Sequence, residues 1–149
     1  MALIELLNER AIKVPLMARD KNGVIRELVD VLAAAYGLDN AENVFLSVLD
    51  REAQGSTGLS DGIAVPHGKT DAVPNILLAV GTAPDGVQFD AIDGQPSRLF
   101  FLMVAPPEKT GPHIAALAEI ARLSRQSALC SALASAKSAS EIMALMKGD

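Results

Sequence analysis

The 149-residue chain contains no tryptophan, one tyrosine, four phenylalanines and a single cysteine, Cys130. One cysteine closes no internal disulfide, and without a second thiol or a histidine cluster it builds no structural zinc site. The five aromatics (Tyr36, Phe45, Phe89, Phe100 and Phe101) leave little surface for stacking bases. Thirteen Lys and Arg against 18 Asp and Glu give a net charge of −5, which repels a phosphate backbone, so nucleic acid is set aside as a partner. Long apolar runs are missing as well. Residues 76–80 and 99–105 fall far short of the ~20 residues that a membrane helix needs, and residues 1–5 carry no basic leader. We therefore expect a cytoplasmic, soluble protein with no direct membrane insertion.

What is present favours a folded chain. Half of the residues are hydrophobic and 21% are charged, a balance that supports one core burying about two-thirds of the surface exposed on unfolding. No linker, internal repeat or block of like charge divides the sequence, so residues 1–149 read as a single domain.

The pattern of apolar residues then sets the elements. Ile12, Val14 and Leu16 alternate along residues 11–17, where Pro15 confines the segment to a sheet edge. Asp20 caps a helix carrying Val24, Leu28, Val31, Leu32 and Ala35, and Gly37 ends it. Asn40 opens a second helix with Val44, Phe45, Val48 and Leu49 on its apolar side. It runs to Arg51 and Glu52 before a loop begins near Gly55. Residues 62–65, 76–80 and 99–104 are continuous apolar runs of strand length, which implies burial on both faces. Between the last two, Val87 and Phe89 alternate with Gln88 and Asp90 ahead of a turn at Asp93-Gly94, which suggests a more exposed strand or hairpin arm. Downstream, Ile114, Leu117, Ile120 and Ala121 form one helical stripe, and Ser138 to Glu141 is a capping box opening a last helix. The expected class is α/β: a mixed, mostly buried β-sheet sandwiched by helices.

Chemistry is concentrated at the two histidines, His67 and His113. His67 follows the run Gly62-Ile63-Ala64-Val65-Pro66. Pro66 fixes the backbone before the ring and Gly68 removes the side chain after it, so a bulky partner can approach. A neutral imidazole keeps a ring-nitrogen lone pair that attacks phosphorus without a strong base. His113 sits in the first turn of a helix, where the positive helix end disfavours imidazolium. Arg51 closes a helix and Lys69 follows the histidine, positions where solvated cations are common. Gly68-Lys69-Thr70 is not a P-loop, because Gly62 and Gly68 enclose five residues and Pro74 spoils the following helix. Gly55-Ser56-Thr57-Gly58 lacks nucleophile-elbow spacing, and no H-E-x-x-H occurs.

The stretch Arg51-Glu52-Ala53-Gln54-Gly55-Ser56-Thr57-Gly58, followed by Gly62-Ile63-Ala64-Val65-Pro66-His67-Gly68-Lys69, resembles the fructose/mannitol-type IIA domain of the bacterial phosphoenolpyruvate:sugar phosphotransferase system. Residues 86–94, the run closed by Pro106, and His113 with Leu117 extend the resemblance over nearly the whole chain. The resemblance implies a phosphotransferase with a phosphohistidine intermediate. His67 would accept a phosphoryl group at Nε2 from the small carrier HPr and pass it to a IIB component of a sugar permease. Arg51 and His113 would neighbour the phosphate, and Ser56, Thr57, Gly58 and Gly68 are candidates for receiving its oxygens. No metal or cofactor is called for, because the donor is already an activated phosphoramidate. The related nitrogen-regulatory branch, which binds partners according to its phosphorylation state, fits the same residues.

Overall fold

The computed structural model describes residues 3–148. Its centre is β5 (Ser97–Ala105), in which every side chain except that of Arg98 is buried. Such a strand must be paired along both edges and covered on both faces. One edge is filled by β4 (Leu77–Val87), antiparallel to it, with β1 (Ile12–Lys13) parallel beyond. The other is filled by two short parallel pieces, β2 (Ile63–Ala64) and β3 (His67–Lys69). Ile63 lies opposite Leu99 and His67 opposite Met103, so the two pieces share one register and Pro66 merely interrupts them.

Side-chain alternation divides the core into two layers. Leu99, Phe101, Met103 and Ala105 join Ile63, Val65, Leu78 and Val80 on one face. This face is covered by α3 (Thr110–Leu123), α4 (Ser127–Ala134) and α5 (Ala139–Lys147). Phe100, Leu102 and Val104 point the other way, against α1 (Lys21–Tyr36) and α2 (Ala41–Ala53). This is the expected mixed sheet between helices. The helix ends follow the sequence signals: the Asp20 side chain accepts the Gly23 N–H, and Gly37 closes α1 at φ 64°. At α5 the Ser138 hydroxyl accepts the Glu141 N–H, while the Glu141 carboxylate reaches Lys137.

Four local expectations are corrected. The first strand is two residues long, and past Val14 the chain crosses the sheet edge, so Leu16 packs in the α1/α2 layer while Ile12 stays in the other. On α1 the fully buried face is Val24, Ile25, Leu28, Val29 and Leu32, with Val31 only partly covered. Residues 88–90 form no exposed arm: β4 ends at Val87, and Phe89 is completely buried against Phe100 at 5.5 Å between ring centroids. On α3 the buried face is His113, Ala116, Ile120 and Leu123, and Ile114 is 60% exposed. The packed face is thus rotated from the expected stripe, with only Ile120 common to both.

Alternation also explains Gly68. Its neighbours His67 and Lys69 lie on the α3 side of β3, so position 68 faces α2. A Cβ there would lie 2.8 Å from Ser47 Oγ and 3.0 Å from the Ser47 carbonyl carbon. The glycine lets α2 sit directly on the edge strand. Gly68→Ala should therefore cost about 1–3 kcal/mol through overpacking, read as a lower urea midpoint with an unchanged slope; an unchanged midpoint would show that α2 yields freely.

Candidate phosphoryl-transfer site

β3 is the edge strand, so the helices of both layers reach around it. α2 brings Arg51 from one side and α3 brings His113 from the other. Between them lies a cleft of about 470 Å³ lined by Arg51, Gln54, His67, Lys69, His113 and Leu117, among others. A smaller hollow of about 190 Å³ adjoins it, lined by Ser56, Thr57, Leu59 and Val65 and sharing Arg51, His67 and Leu117. His67 thus stands on the boundary of both, as the first residue of a strand. The Pro66 carbonyl accepts the Met103 N–H at 3.0 Å, which ties the backbone to β5 immediately before the ring.

The orientation of the His67 ring is set by its own chain. Nδ1 lies 2.9 Å from the Val65 carbonyl oxygen. A carbonyl can only accept, so Nδ1 carries the proton and the lone pair of the neutral ring is on Nε2. Burial pushes the proton affinity of His67 below its ordinary value. The Val65 hydrogen bond and the negative charge of Glu52 work against that shift, and the positive charges of Arg51 and Lys69 reinforce it. His113 is 2% exposed, with its ring 5.8 Å from that of His67 and nearly perpendicular to it at 89°. Burial, with lesser contributions from His67 and Lys69, pushes His113 down to about 4. Its Nε2 is buried without a hydrogen-bond partner among the described residues, as are Thr82 Oγ1 and Ser97 Oγ elsewhere in the fold.

The remaining candidates divide between the cleft and the loop that shapes it. Arg51 Nη1 donates to the Gly55 carbonyl at 2.8 Å, which places the guanidinium at the mouth. The Ser56 hydroxyl donates to the Phe89 carbonyl at 2.7 Å, and its oxygen accepts the Gly58 N–H at 3.0 Å. Both donors of Thr57 go to Glu52: the N–H at 2.8 Å and the hydroxyl at 2.5 Å. Gly58 lines neither hollow; a Cβ there would lie 2.8 Å from Ala91 Cα, so it serves close packing. The reading of the sequence passed over Glu52 and Lys21, which pair at 2.8 Å. The signal was available, since position 52 extends the buried row Val44, Val48 along α2. No group of three or more His, Cys, Asp or Glu able to hold a metal ion occurs among the described residues, and none of their helices is long and apolar enough to cross a membrane.

A histidine pair and an arginine thus line one cleft of a mixed α/β fold. Comparison with known proteins gives the family. The model for the phosphoenolpyruvate-dependent sugar phosphotransferase system, EIIA 2, matches residues 5–148. The chain belongs to this family, whose domains act as phosphotransferase components that carry phosphoryl groups. It is 38% identical over 123 residues to the fructose-specific EIIABC component of Bacillus subtilis (strain 168), an alignment covering 83% of this chain and 19% of that protein. The chain therefore spans about a fifth of that relative. The crystal structure of nitrogen regulatory protein IIA-Ntr from Neisseria meningitidis superposes with a TM-score of 0.88 at 30% identity, covering 97% of this chain and 98% of that one. The complex of enzyme IIAMtl with phosphorylated enzyme IIBMtl from Escherichia coli gives 0.81 at 25% identity over 96% of this chain and 98% of that one.

The electrostatics fix a pH dependence with a definite sign. His113 binds a proton near 6.5 when unfolded and near 4 when folded, so between those values the unfolded state takes up more protons. Its contribution to stability is complete above about pH 6.5 and is lost as pH falls toward 4. Chemical-denaturation stability measured from pH 7 to 4 should fall more steeply for wild type than for His113→Gln, and equal slopes would place the His113 proton equilibrium elsewhere.

Proposed function

We propose that this chain is a cytoplasmic phosphohistidine carrier in which His67 Nε2 accepts a phosphoryl group from an HPr-type phosphocarrier and passes it to a IIB component of a fructose-like sugar permease. The observation that supports this reading best is the contact between His67 Nδ1 and the Val65 carbonyl. It leaves the lone pair on Nε2 of a ring that lines the cleft. In the forward step Nε2 attacks phosphorus, the P–N bond of the donor phosphohistidine breaks, and its electron pair returns to the donor nitrogen. His67 keeps its Nδ1 proton throughout, so no general base is needed.

A loose phosphoryl-transfer transition state needs alignment and charge stabilisation more than covalent assistance. The Arg51 guanidinium has donors left beyond its bond to Gly55 and offers a fixed cationic fork to the equatorial oxygens. His113, neutral at pH 7, lines the same cleft and in its Nε2–H tautomer can donate to a phosphoryl oxygen. Ser56 and Thr57 line the smaller hollow, whereas Gly58 and Gly68 serve packing. The Ser56 hydroxyl donates to Phe89, the Thr57 donors to Glu52 and the Gly58 N–H to Ser56, and Gly68 seats α2. No metal enters this scheme, and the residues act as one domain.

A second reading, a regulator of the nitrogen-related branch that binds partners according to its phosphorylation state, is supported by the likeness to IIA-Ntr over nearly all of both chains. The two readings share the phosphorylation step and diverge afterwards: onward transfer to a fructose-type IIB, or selective capture of a partner by one phosphorylation state.

The test is to incubate the protein with phosphoenolpyruvate, enzyme I and HPr and to map the phosphate by mass spectrometry. One acid-labile phosphate per chain is expected on His67 and none on His67→Ala; labelling of that variant at the same stoichiometry would end the proposal. Arg51→Ala should remain as stable as wild type while transfer at saturating HPr slows by about 10²-fold, the usual cost of losing one directed donor at a transition state. A wild-type rate in that variant would remove Arg51 from the phosphate.

A further inference from the structure

Beside the cleft the fold buries a charge that the transfer chemistry does not itself use. Glu52, on the last turn of α2, is 7% exposed. A carboxylate there is costly unless all of its acceptors are matched, and this one is matched closely. Oε2 meets Lys21 Nζ at 2.8 Å and the Thr57 N–H at 2.8 Å, while Oε1 accepts the Thr57 hydroxyl at 2.5 Å. Lys21 reaches on to Asp90 at 3.4 Å and lies over the Phe89 ring, which anchors the pair to the loop after β4.

From Thr57 the hydrogen bonds run without a gap to the histidine. The Thr57 carbonyl accepts the Val65 N–H at 3.0 Å, and the Val65 carbonyl faces His67 Nδ1 at 2.9 Å. Consecutive residues of α2 hold the same loop from two sides, Arg51 at the Gly55 carbonyl and Glu52 at Thr57. The loop therefore links the guanidinium at the mouth of the cleft to the carbonyl that selects the ring tautomer.

We propose that Glu52, with Lys21 as its counter-ion, is a positioning residue for phosphoryl transfer: it pins Thr57, Thr57 pins Val65, and the Val65 carbonyl holds the His67 proton on Nδ1. This inference rests on the reading of His67 as the phosphoryl acceptor. A ring freed from that carbonyl exchanges its proton between the two nitrogens and turns about its side-chain bonds, so part of the population presents an N–H to the incoming phosphorus. A partner that fixes the tautomer and orientation of a working histidine commonly matters 10- to 100-fold.

Two readouts test it. The first is the tautomer of His67 in the unphosphorylated protein, from imidazole ¹⁵N chemical shifts; the second is single-turnover transfer from phosphorylated HPr at varied concentration. Thr57→Val removes the hydroxyl and keeps the shape and the N–H. Thr57→Ser keeps the hydroxyl, and Glu52→Gln removes the charge. We expect wild type and Thr57→Ser to show the Nδ1–H form. Thr57→Val and Glu52→Gln should show mixed tautomers and a rate at saturating HPr lowered about tenfold, with the half-saturating HPr concentration unchanged. Thr57→Val carries the test should Glu52→Gln fail to fold. A folded Thr57→Val with the wild-type tautomer and rate overturns the proposal alone, as does a Thr57→Ser that falls equally far. A wild-type protein that takes no phosphate on His67 overturns the functional reading as well.

Discussion

The free edge of β5 is the constraint from which the rest follows. A strand buried on both faces cannot leave one row of N–H and carbonyl groups unpaired, and here that row is filled by two short pieces in one register, β2 and β3. Proline at position 66 breaks the pair between them without releasing the backbone, because its carbonyl still accepts from Met103. The second piece starts on His67. An edge strand is also the one place where helices of both layers come close to the same side chain, which is how Arg51 and His113, 62 residues apart in the chain, flank one ring. The site is a by-product of closing the sheet.

Electrostatics then adapts that place to an anion. Burial and neighbouring positive charge both lower the proton affinity of His67, and His113 is lowered further. Two neutral imidazoles beside a guanidinium offer a lone pair, an N–H and a fixed charge with no proton to remove beforehand. The His113 ring is itself buried, 2% exposed, beside that of His67.

Much of this was legible in the sequence because local rules and global packing agree. Asp20 and Gly37 bound α1 as capping chemistry requires, and the apolar runs at 62–65, 76–80 and 99–104 are strands of a buried sheet. What was not legible depends on contacts distant in sequence. Phe89 alternates with polar neighbours as an exposed strand would, yet it is buried because α1 places Lys21 over it and β5 places Phe100 beside it. The sheet-facing row of α3 begins with the buried His113 and includes the small Ala116, so the larger Ile114, though exposed, suggests a different face from sequence. Glu52 continues an apolar row as a charge, and only Lys21 and Thr57, brought in by other segments, make that burial affordable. In both cases a polar residue in an apolar row marked the neighbourhood of the cleft.

The central claim is that a backbone carbonyl decides which nitrogen of His67 reacts. The position of the phosphorus on the ring of the phosphorylated protein tests this most directly, read by ³¹P–¹⁵N coupling in a sample labelled at histidine. Coupling through Nε2, with Nδ1 still bearing its proton, is the predicted result. Phosphorus on Nδ1 would contradict the account, because that nitrogen could react only after giving up the Val65 carbonyl on which the geometry depends.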